Sequence, residues 1–138
     1  MVLQPTTKQN ILSWIAQLTA AAIMLQTLVY KFSGADESVY IFSKIGIEPW
    51  GRYLTGIAEL IASTLLLVPA YCWTGACMAS ALMTGAIVLH LTILGVSVKN
   101  DHGWLFILAM ITLLSSLLVI YLHRRSIPYI NKYFPPYV

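Results

Sequence analysis

The sequence predicts an all-α protein: a membrane-embedded bundle of four helices in up-down-up-down order. Three observations carry the prediction. The 138 residues are 59% hydrophobic and only 9% charged, whereas a soluble domain carries roughly a quarter charged residues. Charge is too scarce to coat a water-facing surface. Four apolar stretches lie at about 10–31, 51–69, 76–98 and 104–123, each near the roughly 20 residues that cross a bilayer. The links between most of them are short, and only a helix that satisfies its own backbone hydrogen bonds crosses lipid as a single segment. One domain spans 1–138.

The elements follow in order. A short polar start, MVLQPTTKQ, precedes the first span, NILSWIAQLTAAAIMLQTLVY. This run exceeds the roughly 7–15 apolar residues of a signal peptide and reads as a retained span. Along it Ser13, Gln17, Ala20, Met24, Thr27 and Lys31 recur at helical spacing and make one small, polar face, which turns toward other helices. KFSGADESVYIFSKIGIEP is the longest connection, read as an ordered loop or a short interfacial segment. On the second span Arg52, Thr55, Gly56, Glu59 and Ser63 share a face, and Pro69 closes it. AYCWTG (70–75) is a tight connection. The third span places Ala79, Met83, Ala86 and His90 on one face. KNDHG forms a polar turn, the fourth span follows, and HRRSIPYINKYFPPYV ends the chain. The aromatic, proline and basic residues of that tail, 124–138, suit the headgroup layer.

Trp14 and Trp73 fall toward one surface and Trp50 and Trp104 toward the other, as aromatic belts require. Lys8, Arg124, Arg125 and Lys132 share one side, and Lys31, Lys44, Arg52 and Lys99 the other. That tie is broken by the compact HRR cluster after the last span, which points to both termini in the cytoplasm of a cell inner membrane under the positive-inside rule.

Glu59 is the costliest residue in this arrangement: an acid at mid-helix depth costs roughly 2.5–3.5 kcal/mol on insertion scales. It lies eight residues into the second span, and His90 lies eight residues short of Val98, where the third span reaches the same side. Both are then about 12 Å below the surface at about 1.5 Å per residue, with Lys31 and Arg52 above them. The functional reading is a polar pocket of Glu59, His90, Lys31 and Arg52 that binds a lipophilic ligand or a proton. Glu59 would pair with Lys31, Arg52 or His90; lacking a cation, it would stay protonated. The structural reading is a buried clamp between helices, with His90 an interhelical donor and Lys31 and Arg52 snorkelling to the interface.

Other chemistry finds little support. Cys72 and Cys77 are five apart, neither C-x-x-C nor a four-ligand zinc pattern, and read as packing residues. Asp101 and His102 are two ligands in a turn, too few for a metal, and read as a solvated turn. His90 and His123 lie toward opposite surfaces, which argues against a haem held between them. No P-loop, dinucleotide fingerprint or nucleophile elbow appears. The net charge of +3 comes without a basic run interleaved with aromatics, so no nucleic-acid partner is indicated.

The segments YKFSG, SKIGIEPWGR, GIAELIASTLLLVP, GAIVLHLTILG and WLFILA, over about residues 25–125, resemble the DoxX-like family of small membrane proteins. The G-x-x-E-L element followed by LLLxP is the most specific part. The resemblance implies a four-helix integral membrane fold. It also implies association with redox complexes: the namesake is a small subunit of a quinone-linked oxidoreductase that takes electrons from thiosulfate. Distant animal relatives chaperone membrane receptors. By position, Lys31, Glu59 and His90 match the family's recurrent polar sites. No cofactor motif is present in the chain, so whether it is itself an enzyme stays open. The expectation is a membrane subunit of a quinone-linked system acting with a redox partner protein. The alternatives are a non-catalytic assembly or chaperone module and a proton-coupled transporter of small solutes. The small-residue faces would serve a homo-oligomer as well as internal packing.

Overall fold

The computed structural model describes residues 6–128 and 133, and all of its regular elements are helical. The first helix, α1 (Thr7–Ser33), begins earlier than hydropathy indicates because Thr6 and Gln9 form a reciprocal capping box. It ends at Gly34, whose φ of 69° suits a left-handed cap that a Cβ would penalise. The 31–49 connection contains a helix of its own, α2 (Asp36–Lys44), with Asp36 and Glu37 in its first turn and Lys44 in its last, as the helix dipole favours. Helix α3 (Trp50–Leu67) stops two residues before Pro69, because the residue before a proline is pushed out of helical geometry.

The third span differs from expectation at both ends. Helix α4 (Cys72–Leu89) starts inside the stretch read as a connection, since nothing after Pro69 interrupts helical backbone. It then widens into a π turn over His90–Leu94 and breaks at Gly95, with φ of 85°. Residues 95–98, expected to be helical, are not. Helix α5 (Trp104–Leu122) falls where hydropathy puts it, and a short 3-10 turn, Arg124–Ser126, follows. The expected interfacial tail lies partly outside the described residues, which omit 129–132 and 134–138.

Helix α1 packs against α3 and α5, α3 packs against α4, and α4 packs against α5. The interior is rich in small residues, among them Ala20, Ala62, Ala76 and Ala79, which lie fully buried beside Met24, Leu66 and Val119, while Leu54 and Leu114 are 60% and 61% exposed. So many large apolar side chains left outside, around a core rich in alanine, is unlike a soluble domain. It is what helices packed within lipid require. Among the described residues, three helices are long and apolar enough to cross a membrane: Thr7–Ser33, Cys72–Leu94 and Trp104–Leu122. The protein is a multi-pass integral membrane protein. Helix α3 is not one of those three, as it carries Arg52 and Glu59 within 18 residues.

The turn before α5 is held by one carboxylate. Asp101 accepts from the backbone N–H groups of Val98, Gly103 and Leu105 at 2.8, 2.9 and 3.0 Å. Lys99, Asn100 and His102 are all kept at positive φ around it, a costly conformation away from glycine. Burial opposes ionisation of Asp101, but the three amides together with the Ser97 hydroxyl outweigh it and hold the carboxyl below its ordinary 3.8. A carboxyl lowered in the folded state contributes fully above its ordinary pKa, and the contribution is lost as pH falls through the lower folded value. Asp101→Ala should cost about 1 kcal/mol, as loss of a helix cap does. Thermal unfolding in detergent should also lose an acid-sensitive component below about pH 4. An unchanged acid profile in the variant would refute this role.

Candidate functional site

Glu59 sits on the buried face of α3 and meets α1. Its Oε1 is 2.5 Å from the Lys31 ammonium, and its Oε2 accepts from the Thr27 hydroxyl at 3.1 Å. Thr27 and Lys31 are one turn apart on α1, so a single helix face answers both oxygens. The Glu59 side chain is 6% exposed and that of Lys31 14%. A charge this deep is tolerated only with a close partner and further hydrogen bonds. Lys31 supplies the first and Thr27 the second, so Glu59 has the cation that its ionised form needs.

Arg52 lies one turn and three residues before Glu59 and does not pair with it. Its guanidinium faces Glu48, with Nε 2.9 Å and 3.0 Å from the two carboxylate oxygens and the closest nitrogen at 2.7 Å. It also donates to the Lys31 carbonyl. That carbonyl belongs to the last turn of α1, where acceptors have no helical partner. Arg52 therefore caps α1 while staying bound to Glu48. Lys31 joins the two ion pairs: its carbonyl takes Arg52 and its ammonium takes Glu59. Outside this network, Phe32 and Tyr53 stack at 6.1 Å with an angle of 22° between rings, and the Arg52 guanidinium lies 4.5 Å from the Tyr53 ring. Both rings are substantially exposed. Gly56 makes room for the Phe32 ring, since a Cβ there would stand 3.1 Å from Phe32 Cζ.

The hydrogen bond and the ring contact of His90 lie outside this network. Its Nδ1 is 2.9 Å from the Gly95 carbonyl. A carbonyl only accepts, so Nδ1 carries the proton. The ring meets Phe106 of α5 edge-on at 5.8 Å. Glu59 and His90 share no hydrogen bond. The expectation that Glu59 pairs with Lys31, Arg52 or His90 thus resolves to Lys31. The depth match with His90 rested on regular helix running to Val98, and the π turn removes that premise.

The residues missed by sequence reasoning are Thr27 as a ligand to Glu59, Glu48 as the partner of Arg52, and a second polar cluster at the other end of α1. In that cluster Gln17 Nε2 donates to Ser13 Oγ at 2.6 Å. His123 Nδ1 lies 3.1 Å from the Val119 carbonyl and 3.5 Å from Ser13 Oγ. Ser13 and Gln17 had been placed on the inward face, but nothing in the local sequence ties them to a histidine 110 residues away.

No curated protein and no solved structure matches the chain. The family model for DoxX matches residues 13–92, a stretch that holds α1 from Ser13 through the first residues of the π turn and includes both ion pairs. With more than half of its length so matched, the chain belongs to the DoxX family.

Proposed function

We propose that the protein is a small membrane subunit of a redox system, and that the Lys31–Glu59 pair marks where it binds a lipophilic, carbonyl-bearing ligand such as a quinone. The observation that carries this reading is a buried ion pair between α1 and α3 lying beside an exposed stacked pair of aromatics, Phe32 and Tyr53. A ring-shaped ligand arriving from lipid would lie against those rings. Its carbonyl oxygen would accept from the Lys31 ammonium, and Glu59 would keep that ammonium charged and in place. Ionisable groups at membrane depth are expensive and mark ligand or proton sites by default. The role proposed is holding the ligand for a redox partner protein. His90, on the neighbouring helix, is a lesser candidate for the same site.

The arrangement in the bilayer belongs to the same proposal. Helix α3 crosses with the other three to give the up-down-up-down bundle, in a cell inner membrane. The start of α1 and the end of α5 face the cytoplasm with Lys8, Arg124 and Arg125.

The test is binding of a short-chain benzoquinone to the detergent-purified protein, followed by quenching of tryptophan fluorescence. Saturable binding is expected, weakened at least about tenfold in Glu59→Gln, which leaves the Lys31 ammonium without its counter-charge. Equal binding by the variant would overturn the reading. One observation favours a second reading, a non-catalytic assembly module: both oxygens of Glu59 are already engaged, as in a purely structural clamp. Crosslinking to a defined membrane partner that survives Glu59→Gln would support it.

A further inference from the structure

A cavity of about 60 Å³ lies at the opposite end of α1 from Glu59, lined by Ser13, Trp14, Gln17, Pro69, Cys72 and His123 among others. Gln17 is about 15 Å along α1 from Thr27 at about 1.5 Å per residue, so this is a separate place in the molecule. Its walls carry unspent hydrogen-bonding capacity. Gln17 is 3% exposed, and its Oε1 is buried with no partner. A buried polar atom in that state costs about 1–3 kcal/mol unless something answers it. The Ser13 oxygen accepts from Gln17 Nε2, which leaves its own hydroxyl proton to donate. His123 spends its Nδ1 proton on Val119, so Nε2 is the ring nitrogen left to accept.

We propose that this cavity binds the hydroxyl head of a neutral lipid alcohol. Two acceptors and one donor call for a group that both donates and accepts. A hydroxyl does so, while a carboxylate or phosphate has nothing to give Gln17 Oε1. A cation is disfavoured because this end of the bundle holds Lys8, Arg124 and Arg125, and no acid lies within 6–20, 66–76 or 119–128. The volume is enough for a few water-sized groups, at about 10–15 Å³ for each water. It admits a hydroxymethyl end and not an aromatic ring, which separates this site from the one proposed at Glu59. The apolar body of the ligand would remain in the lipid beside Trp14, which is 40% exposed.

The experiment uses the full chain in detergent and compares 1-dodecanol with dodecyl methyl ether, which has the same body but no donor. Binding is read by native mass spectrometry and by the shift in thermal midpoint. The alcohol should bind at least about tenfold more tightly than the ether, because a site built around a hydroxyl rejects an analogue that leaves its polar groups unpaired. Gln17→Met, similar in length but without the amide, should abolish that preference, and Ser13→Ala should reduce it. Equal binding of alcohol and ether by the unmodified protein overturns the proposal, whatever the variants do. A full preference retained in both Gln17→Met and Ser13→Ala overturns it as well. Glycerol serves as the water-soluble hydroxyl: protection by glycerol equal to that by dodecanol would overturn the assignment to a lipid.

Discussion

Glu59→Leu should destabilise the detergent-solubilised protein by about 3–5 kcal/mol, the cost of removing one member of a buried ion pair. The loss does not come from the missing attraction alone. Lys31 would be left at 14% side-chain exposure with no anion beside it, and Thr27 would lose one of its two acceptors, keeping Met24 O. Relief is open to Lys31, whose long stem could carry the ammonium toward the interface, so the lower end of the range is the firmer figure. The double variant Lys31→Met, Glu59→Leu separates structure from function. Replacing both charges with apolar groups of similar volume is often neutral or stabilising, and the pair is close enough for strong non-additivity. The double variant should therefore recover most of the stability lost in the single one. It should not recover quinone binding, because no ammonium remains to donate. If Glu59→Leu alone were harmless, the pair would not be an energetic link between α1 and α3. If the double variant bound quinone normally, the pair would be a clamp and nothing more.

Much of that pair was legible in the sequence. Helical spacing put Thr27 and Lys31 on one face of α1 and Glu59 with Arg52 on one face of α3, and the cost of an isolated acid in lipid demanded a cation nearby. Spacing could not choose between Lys31 and Arg52. That choice was made by Glu48, which lies one turn before Arg52 and draws its guanidinium away. The bond of His90 to Gly95 was not legible, for a different reason. The depth of His90 was counted along a regular helix, and the π turn at His90–Leu94 adds a residue to the turn and shifts every later side chain. Gly95 does lie five residues on, but a lone glycine in a membrane helix is common and signals no break by itself. The Ser13–Gln17–His123 cluster was half visible. Two of its members were placed correctly on an inward face, while the third arrives through packing of α5 on α1, which local pattern does not encode.

Gly75→Ala is the second large effect, and it tests the packing of α3 on α4 without touching any polar group. A Cβ added at Gly75 would stand 2.5 Å from the Leu66 nitrogen, 2.8 Å from the Ala62 oxygen and 2.9 Å from the Leu65 carbonyl carbon. All three are backbone atoms, so no rotamer change can clear the way and the helices must part. The surroundings are closed as well, since Ala62, Leu66, Cys72, Ala76 and Ala79 are all fully buried. Two effects oppose each other. Alanine is a better helix former than glycine by about 0.8–1.0 kcal/mol, while overpacking a tight core costs about 1–3 kcal/mol and sometimes more. Contact with rigid backbone places this position at the upper end, so a net loss of about 2 kcal/mol is expected, with apparent stability falling more steeply for Gly75→Val. Gly85 provides the control on the same helix: it is exposed, and a Cβ there meets nothing within 4 Å. Gly85→Ala should be neutral or slightly stabilising. Thermal unfolding of the two variants side by side decides the matter, because intrinsic propensity moves both the same way and only the close crossing of α3 and α4 moves them apart.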